Sequence, residues 1–467
     1  MKKVLRVGYH RYYREDLFEK HLSYIRANAS LIDEVTLFVD YSHYGYWDLE
    51  SERENAKRLE DRIKRYRAVG IESVGVNLLC TMGHAEEAWD IFPAAPLPYQ
   101  VNEEGEVSRS CLCPANSAFL DYVAARYALY AKIGADFIWM DDDMRTYNHG
   151  VAGNFCFCDA CIADFNDQNH TQWSRAELVE QLRRDPTTAA AWEARKGRVM
   201  LTLFETVERA VHAADPNLEI GYMSGRKNAV REWILKSGAK KLRPGGGFYR
   251  DERPLELFDK HYSVQRQIAR YPQQIRDIQY EYEAFNYQSM ERSMHLSELE
   301  TSLSLMAGCT GVLYNDDMFY DREQTTDMLA RFGKKWEVLC RLNQGCLPSG
   351  VYCPNAYLSR RLAEIGIPIT HFREHAVAAA LTGKDLAELT LQEIKDLLAL
   401  GLFTDGDGVA RLHELGLGDA CGGRVKATYD NGMAERFTSH AENGAYGGYY
   451  RDVFMNFKYV YGHEDLA

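Results

Sequence analysis

The feature that most constrains the fold is a repeated alternation of short strand-like runs with longer helical stretches over residues 1–345. Eight runs have the length and flanking turn residues of strands: Val4–Tyr9, Glu34–Asp40, Ser73–Leu79, Phe137–Met140, Glu219–Met223, Lys241–Arg243, Asp277–Glu281 and Gly311–Tyr314. Eight parallel strands alternating with helices close into a barrel. The pattern therefore predicts an α/β chain whose first domain, residues 1–345, is a (β/α)8 TIM barrel.

Helical patterns lie between these runs. We predict helices at Ser51–Val69, Ala115–Ile133, Thr187–Ala213 and Leu296–Ala307. Ser174 followed by Glu177 is typical of a capping box, in which the two side chains satisfy free N–H groups of a helix start.

The pattern changes after residue 345. Short strands are predicted at Gly350–Cys353, Ile367–Thr370 and Leu402–Thr404, with helices at Leu386–Leu400 and Val409–Leu415. Residues 346–467 are therefore predicted to form a second, smaller α/β domain. Its tail, from about Val425, is rich in Gly, Tyr and Asn without a clear period, so the sequence leaves open whether this domain is complete or truncated.

The charge balance narrows the class of partners. The chain has 55 Lys and Arg against 68 Asp and Glu, a net charge of −13, which disfavours nucleic acid and anionic membranes as partners. The N-terminus lacks the apolar segment of a signal peptide, and no apolar run has the length of a membrane span. We expect a cytoplasmic protein without nucleic-acid or membrane partners.

The cysteines predict a metal centre. Cys156, Cys158 and Cys161 form a C-x-C-x-x-C motif, and Cys113 upstream supplies a fourth thiol, with Cys111 as a nearby spare. Four thiolates are a set that tetrahedral zinc prefers in sites without an open position for water, so the predicted role is structural. The alternatives are reduced core cysteines and an iron–sulfur cluster, and no other feature of the chain indicates redox chemistry.

Polar and aromatic side chains follow most of the predicted strands. In a (β/α)8 barrel the carboxyl ends of the strands converge on one mouth. The residues that we expect there to bind a substrate are His10, His43, His84, Asn315 and Asp316. The 30 tyrosines provide faces of the kind that stack on sugar rings, although core packing explains them equally well.

Carboxylates follow two of the predicted strands. Asp142 and Asp143 follow the fourth strand, Glu281 ends the seventh, and Glu283 follows it. Glycoside hydrolysis usually needs two carboxyl groups across the scissile bond, so these four are the predicted catalytic residues. Three consecutive aspartates are also typical of a calcium or magnesium site, which leaves an inverting or metal-assisted hydrolase and a non-catalytic sugar-binding barrel as alternatives.

Taken together, these motifs resemble glycoside hydrolase family 42, the zinc-bearing β-galactosidases of the retaining (β/α)8 clan. The segment Ser108–Ser117 is similar to the family's Arg-x-x-x-Cys-Pro-Asn-Ser segment, and the segment Asn77–Thr81 followed by Ala88-Trp89 is similar to its third strand and the turn after it. The resemblance implies that Arg109 binds substrate and that Cys113, Cys156, Cys158 and Cys161 bind zinc. It also implies an amidotransferase-like second domain and a homotrimer.

The sequence departs from this family at the fourth strand. The family carries Asn-Glu there, with Glu as the acid/base, whereas this chain has Asp141, Asp142 and Asp143. An aspartate carboxyl sits about 1.5 Å further back, since the side chain is one methylene shorter. The resemblance implies that Glu281 is the nucleophile and that Asp143 or Asp142 replaces the family's acid/base. The hypothesis is a retaining glycosidase that cleaves a β-linked sugar, with β-galactosides as one possible class.

Overall fold

The computed structural model describes residues 1–40, 42–84, 92–154, 156–224, 228–245, 252–253, 255–282, 293–315, 324–421, 423–428, 433–453 and 459–462. The chain divides into two compact units, Met1–Gly345 and Cys346–Ala467. No helix in the described ranges is both long and apolar enough to cross a bilayer.

The first unit is a closed barrel of eight parallel strands, which confirms the predicted fold class. In chain order, the barrel strands are Lys2–Val7, Glu34–Phe38, Ser73–Leu78, Phe137–Met140, Glu219–Ser224, Lys241–Pro244, Asp277–Tyr282 and Gly311–Asn315. Each strand pairs with the strands that precede and follow it along the chain. The eighth strand pairs with the first and closes the barrel, with Gly311 opposite Lys2. The predicted bounds of the fourth strand are identical to the observed ones, and those of the other seven differ by at most two residues at either end.

Helices surround the barrel. Those of ten or more residues are Glu15–Asn28, Leu49–Ala68, Ser117–Tyr130, Asp159–Asn169, Arg175–Arg184, Pro186–Ala214, Asn228–Ser237, Glu256–Ile268, Met294–Met306 and Gln324–Leu342, and a short helix spans Tyr9–Tyr13. The predicted capping box of Ser174 and Glu177 is present. An antiparallel hairpin, Tyr99–Val101 with Val107–Leu112, precedes the helix that leads into the fourth strand.

Two aromatic rings fill the barrel interior from the fourth strand. A Cβ on Gly75 of the third strand would lie 2.3 Å from the Phe137 ring, and one on Gly221 of the fifth strand would lie 2.4 Å from the Trp139 ring. These glycines therefore make the space that the rings occupy. The close approach explains why apolar runs in this barrel are interrupted by glycine on both sides of the fourth strand.

A network of charges occupies the amino-terminal end of the barrel. The Lys241 ammonium lies 2.7 Å from an Asp277 carboxylate oxygen and 3.3 Å from Glu34. The Lys2 ammonium joins the same two carboxylates at 2.6 and 3.2 Å. Buried charges are tolerated when they are paired in this way, so the polar inward positions at this end are structural.

The second unit contains a parallel sheet in the order Ile369–Thr370, Gly350–Tyr352, Ala376–Leu381, Leu402–Thr404. The strand Ala376–Leu381 was not among those predicted. The predicted helix Leu386–Leu400 is two helices, Gly383–Ala387 and Leu391–Leu400, because Thr390 and Glu393 form a capping box that starts the second. Helix Ala356–Glu364 follows the strand Gly350–Tyr352 along the chain, and helix Gly406–Glu414 follows the strand Leu402–Thr404. Two antiparallel pairs follow, Arg424–Thr428 with Tyr459–Gly462 and Met433–Arg436 with Tyr450–Val453.

Replacement of Gly221 by alanine tests the packing around Trp139. We expect Gly221→Ala to destabilise the barrel by about 1–3 kcal/mol, since the new methyl group overlaps the ring. The matched control is Gly197→Ala in helix Pro186–Ala214, where a Cβ meets no atom within 4 Å. That change should stabilise the helix by about 0.5–1 kcal/mol. Urea unfolding of both variants measures the difference, and equal midpoints would contradict the packing argument.

Candidate active site and metal centre

Glu281 lies at the carboxyl end of the seventh strand and points into the barrel. Its Oε1 accepts a hydrogen bond of 2.7 Å from Nη1 of Arg6 on the first strand, and both side chains are almost fully buried. The Arg6 guanidinium also lies over the Phe38 ring, 4.5 Å from its centroid. A buried carboxylate held by a guanidinium is stabilised in its ionised form and in one orientation.

Asp141 follows the fourth strand and joins a second arginine. Its Oδ2 accepts a hydrogen bond of 2.7 Å from Nδ2 of Asn77. Nη1 of Arg243 donates a hydrogen bond of 3.0 Å to Oδ1 of the same asparagine. Burial alone would raise the pKa of Asp141, but the charges of Arg243 and Arg6 outweigh it and lower that pKa. Burial, with the nearby charge of Arg6, lowers the pKa of Arg243 to about 10. Both groups remain charged at neutral pH.

Asp143 turns away from Asp141 and holds the loop after the third strand. Its Oδ2 accepts hydrogen bonds from the backbone N–H groups of Thr81, Met82 and Gly83 at 2.7, 2.6 and 3.1 Å. The side chain is fully buried, and burial raises the pKa of Asp143 to about 6 despite these bonds. The alternation of facing side chains ends with the strand at Met140, so Asp141 and Asp143 do not share one face as a continued strand would require.

Asp142 is the most exposed of the three aspartates. Its side chain is 22% accessible, with Oδ2 paired to Nη1 of Arg145 and Oδ1 3.9 Å from Nε2 of His84. Burial raises the pKa of Asp142, and Arg145 only partly offsets that rise. Asp142 therefore combines a raised pKa with an accessible carboxyl group, which a residue that exchanges a proton with a ligand needs.

His84, the histidine beside Asp142, packs against two further histidines. The ring centroids of His43 and His84 are 4.8 Å apart, and those of His84 and His149 are 5.1 Å apart. The backbone joins them as well, since His84 N–H donates to the His43 carbonyl and His149 N–H donates to the His84 carbonyl. We call His43, His84 and His149 the histidine row; it connects the loops that follow the second, third and fourth strands.

The remaining predicted binding residues are distributed differently. Asn315 is buried beside Arg6 in the register of the first and eighth strands. Arg109 is exposed on the hairpin strand Val107–Leu112, and His10 is exposed on the helix Tyr9–Tyr13, where its charge acts on His21. Glu283 and Asp316 lie outside the described residues. Among the described predictions, Glu281, Asn315, Asp142, Asp143, His43 and His84 lie in the inner part of the mouth.

The prediction from sequence missed several residues of this site. Arg6 and Arg243 had a signal, because a charged residue inside a buried strand needs a partner in the barrel. Asn77 was noted only as part of the family resemblance. Arg145 and His149 lie in the loop after the fourth strand, where nothing in the sequence distinguishes them from ordinary polar loop residues.

The four predicted metal ligands come together. The sulfur atoms of Cys113, Cys156, Cys158 and Cys161 all lie within 4.8 Å of one another, and three of these side chains are buried. Cys113 Sγ is 3.6 Å from Cys161 Sγ and 3.9 Å from Cys158 Sγ, separations typical of thiolates around one tetrahedral ion. Arg195 is buried beside the group, and its charge interacts with Cys161. The cluster could therefore hold a metal ion.

Comparisons with known proteins identify the fold. No protein-family model matches the sequence, and no curated protein matches it. Solved structures do. A β-galactosidase from Rahnella sp. R3 is 10% identical with a TM-score of 0.61, covering 99% of this chain and 80% of its own. Gan42B, a family 42 β-galactosidase from G. stearothermophilus, is 12% identical with a TM-score of 0.61. The match covers 98% of this chain and 79% of Gan42B.

A third similar structure has a different specificity. The exo-β-1,4-mannosidase Op5Man5 from Opitutaceae bacterium strain TAV5 is 10% identical with a TM-score of 0.53, and the match covers 96% of this chain and 84% of that one. The TM-scores establish a common fold. Because the identities are so low, these structures do not indicate which substrate this chain binds. The chain shares its fold with the β-galactosidases of glycoside hydrolase family 42.

Proposed function

We propose that the protein is a glycoside hydrolase that cleaves a β-linked sugar by a two-carboxylate retaining mechanism. The observation that carries the proposal is that two carboxyl groups in unlike environments lie at the carboxyl end of the same barrel. Glu281 is held by Arg6, whereas burial raises the pKa of Asp142. A retaining glycosidase needs one ionised carboxylate and one carboxylic acid, and divergent environments assign those roles. The fold shared with β-galactosidases and a mannosidase supports the same chemistry.

In the proposed mechanism, Glu281 attacks the anomeric carbon while Asp142 gives a proton to the leaving oxygen. Asp142 then takes a proton from the water that releases the sugar from Glu281. The predictions for Asp143 and Asp142 as the acid/base are thereby narrowed to Asp142. Asp143 has one oxygen engaged by three backbone N–H groups, which suits a residue that positions the loop after the third strand.

The other predicted residues keep supporting roles in the proposal. Asn315 and His43 lie where sugar hydroxyl groups would contact the floor and wall of the mouth. Arg109, exposed on its hairpin, and His10 would bind more distant parts of the substrate. Glu283 and Asp316 remain predictions for the same mouth.

The two rival functions fit the geometry less well. A metal-assisted hydrolase needs the aspartates to converge on one ion, but Asp141, Asp142 and Asp143 turn to different partners, which are Asn77, Arg145 and the backbone at 81–83. A non-catalytic sugar-binding barrel would have no use for the contrast between Glu281 and Asp142. Sugar binding by calorimetry without turnover of any aryl glycoside would favour that second rival.

We further propose that the cysteine cluster binds structural zinc. Four thiolates leave no open coordination position, so the ion would supply stability and no reacting group. Cys156, Cys158 and Cys161 follow the long segment after the fourth strand, and Cys113 precedes the helix Ser117–Tyr130. An ion at this cluster would therefore close the loop that carries Asp142.

The broader assignments remain proposals as well. The net charge of −13 supports a protein without nucleic-acid or anionic-membrane partners, and the polar N-terminal segment supports the expected cytoplasmic location. The family resemblance supports a homotrimer built with the smaller domain, residues 346–467. Both await sedimentation and localisation measurements.

The nucleophile is tested with aryl glycosides of both anomers, including galactose, glucose, mannose, fucose and arabinose. We expect turnover of a β-glycoside and a loss of at least about 10³-fold in kcat for Glu281→Gln, because covalent attack is removed. The control is Asp277→Asn, which changes a carboxylate on the same strand at the opposite end of the barrel. That variant should keep kcat within a few-fold when folded. A Glu281→Gln enzyme that retains wild-type turnover would remove the assignment.

The acid/base is tested by the pH dependence of kcat/KM. A general acid works only while protonated, so activity should fall as pH rises through the raised pKa of Asp142. Asp142→Asn should lose about 10²–10⁴-fold and abolish that alkaline limb. Asp143→Asn is the matched control and should retain it. Loss of the limb in Asp143→Asn alone would reverse the roles of the two aspartates.

The zinc assignment is tested by metal analysis of the purified protein. We expect one zinc per chain, and its loss in Cys158→Ser together with a fall in melting temperature of about 5 °C or more. Cys340→Ser, a half-buried cysteine away from the cluster, serves as control and should retain the metal. A Cys158→Ser protein with full zinc and an unchanged melting temperature would exclude the site.

A further inference from the structure

We infer that His84 is a further catalytic residue, which relays the proton between Asp142 and the leaving oxygen. This inference rests on the proposed glycosidase function and deepens it. The reason is the short reach of Asp142, because an aspartate carboxyl sits about 1.5 Å behind that of a glutamate on the same backbone. A ring placed between this short side chain and the substrate would carry the proton to a leaving oxygen that the Asp142 carboxyl does not itself contact.

The two oxygens of Asp142 have different partners. Oδ2 is paired with Arg145, while Oδ1 is free of hydrogen bonds to any described residue and faces Nε2 of His84 at 3.9 Å. A shortening of about 1 Å brings that pair to hydrogen-bond distance. Catalytic contacts are commonly long before a substrate binds and tighten in the complex.

The position of His84 is fixed by its surroundings. The preceding residue, Gly83, has a φ of +108°, and a Cβ there would lie 2.6 Å from the Cys111 backbone, so this turn requires glycine. Asp143 anchors the same turn through three N–H groups. The rings of His43 and His149 both pack against the ring of His84 in the histidine row. The loop therefore presents one imidazole to Asp142 in one orientation.

Burial and nearby positive charges keep the His84 ring neutral. Burial, followed by the charges of His43 and Arg145, lowers the pKa of His84 to about 3, and Asp141 only partly opposes them. A neutral ring has one N–H proton and one free nitrogen, so a proton that leaves His84 for the substrate must be replaced by one from Asp142. Burial raises the pKa of Asp142, which suits this role.

The step balances as follows. Asp142 gives its proton to one ring nitrogen of His84 while the other ring nitrogen gives its proton to the leaving oxygen. The glycosidic C–O bond breaks and an ester bond forms between Glu281 and the anomeric carbon. Water then reverses the path, since its proton enters the ring, the opposite ring proton returns to Asp142, and the hydroxide displaces Glu281.

The test compares leaving groups in His84→Gln and in His149→Gln, which removes an imidazole from the same row. Aryl glycosides of the sugar that the wild type hydrolyses are used, one with a dinitrophenyl and one with an unactivated phenyl leaving group. A dinitrophenolate departs without protonation. We therefore expect His84→Gln to lose at least 100-fold in kcat/KM on the phenyl glycoside and less than about 5-fold on the dinitrophenyl one. His149→Gln should lose the same small factor on both.

A double variant separates a relay from simple packing. Because the two groups act in one transfer, Asp142→Asn combined with His84→Gln should be no slower on the phenyl glycoside than the slower single variant. Additive losses, or an equal loss on both substrates in His84→Gln, would overturn the relay and leave the glycosidase intact. A wild type that hydrolyses no glycoside would instead overturn the proposed function and the relay with it.

Discussion

Arg6 and Arg243 bring two positive charges into a barrel interior that also contains Glu281 and Asp141, and the rest of the site depends on this pairing. A carboxylate buried alone would take up a proton to avoid the desolvation penalty. The guanidinium charges lower the pKa of Asp141, and Arg6 binds Glu281 directly. The arginine charges therefore favour the ionised form of Asp141, and Arg6 fixes the position of Glu281, where water is largely excluded.

The barrel separates this site from a second buried charge network. Glu34, Lys241 and Asp277 neutralise one another at the amino-terminal end, while Glu281 and Asp141 lie at the carboxyl end. The ring of Trp139 lies between them: Lys241 is 5.2 Å and Arg243 4.4 Å from its centroid. Because Gly221 leaves room for this ring, a backbone feature far from the substrate supports the arginine that holds Asp141.

The loops above the barrel floor are coupled to one another. Asp143 binds the turn after the third strand, the histidine row joins three loops, and the cysteine cluster lies at the far end of the segment after the fourth strand. Asp142 and Arg145 lie on that segment. A structural ion would act on catalysis through this loop, by limiting the positions that Asp142 can take relative to Glu281. The smaller unit has its own core around Leu381 and Leu397.

The sequence by itself determined the barrel, the cysteine cluster and the strand ends that carry Glu281 and Asp142, because local periodicity and motif spacing encode them. It missed the strand Ala376–Leu381, whose alanines favour helix until pairing with Gly350–Tyr352 and Leu402–Thr404 overrides that preference. Only the tertiary structure decided which carboxylates meet Arg6, Arg243 and Arg145, and which aspartate faces His84. Those contacts join residues on different strands and loops, and the chain path that brings them together is not written in any local pattern.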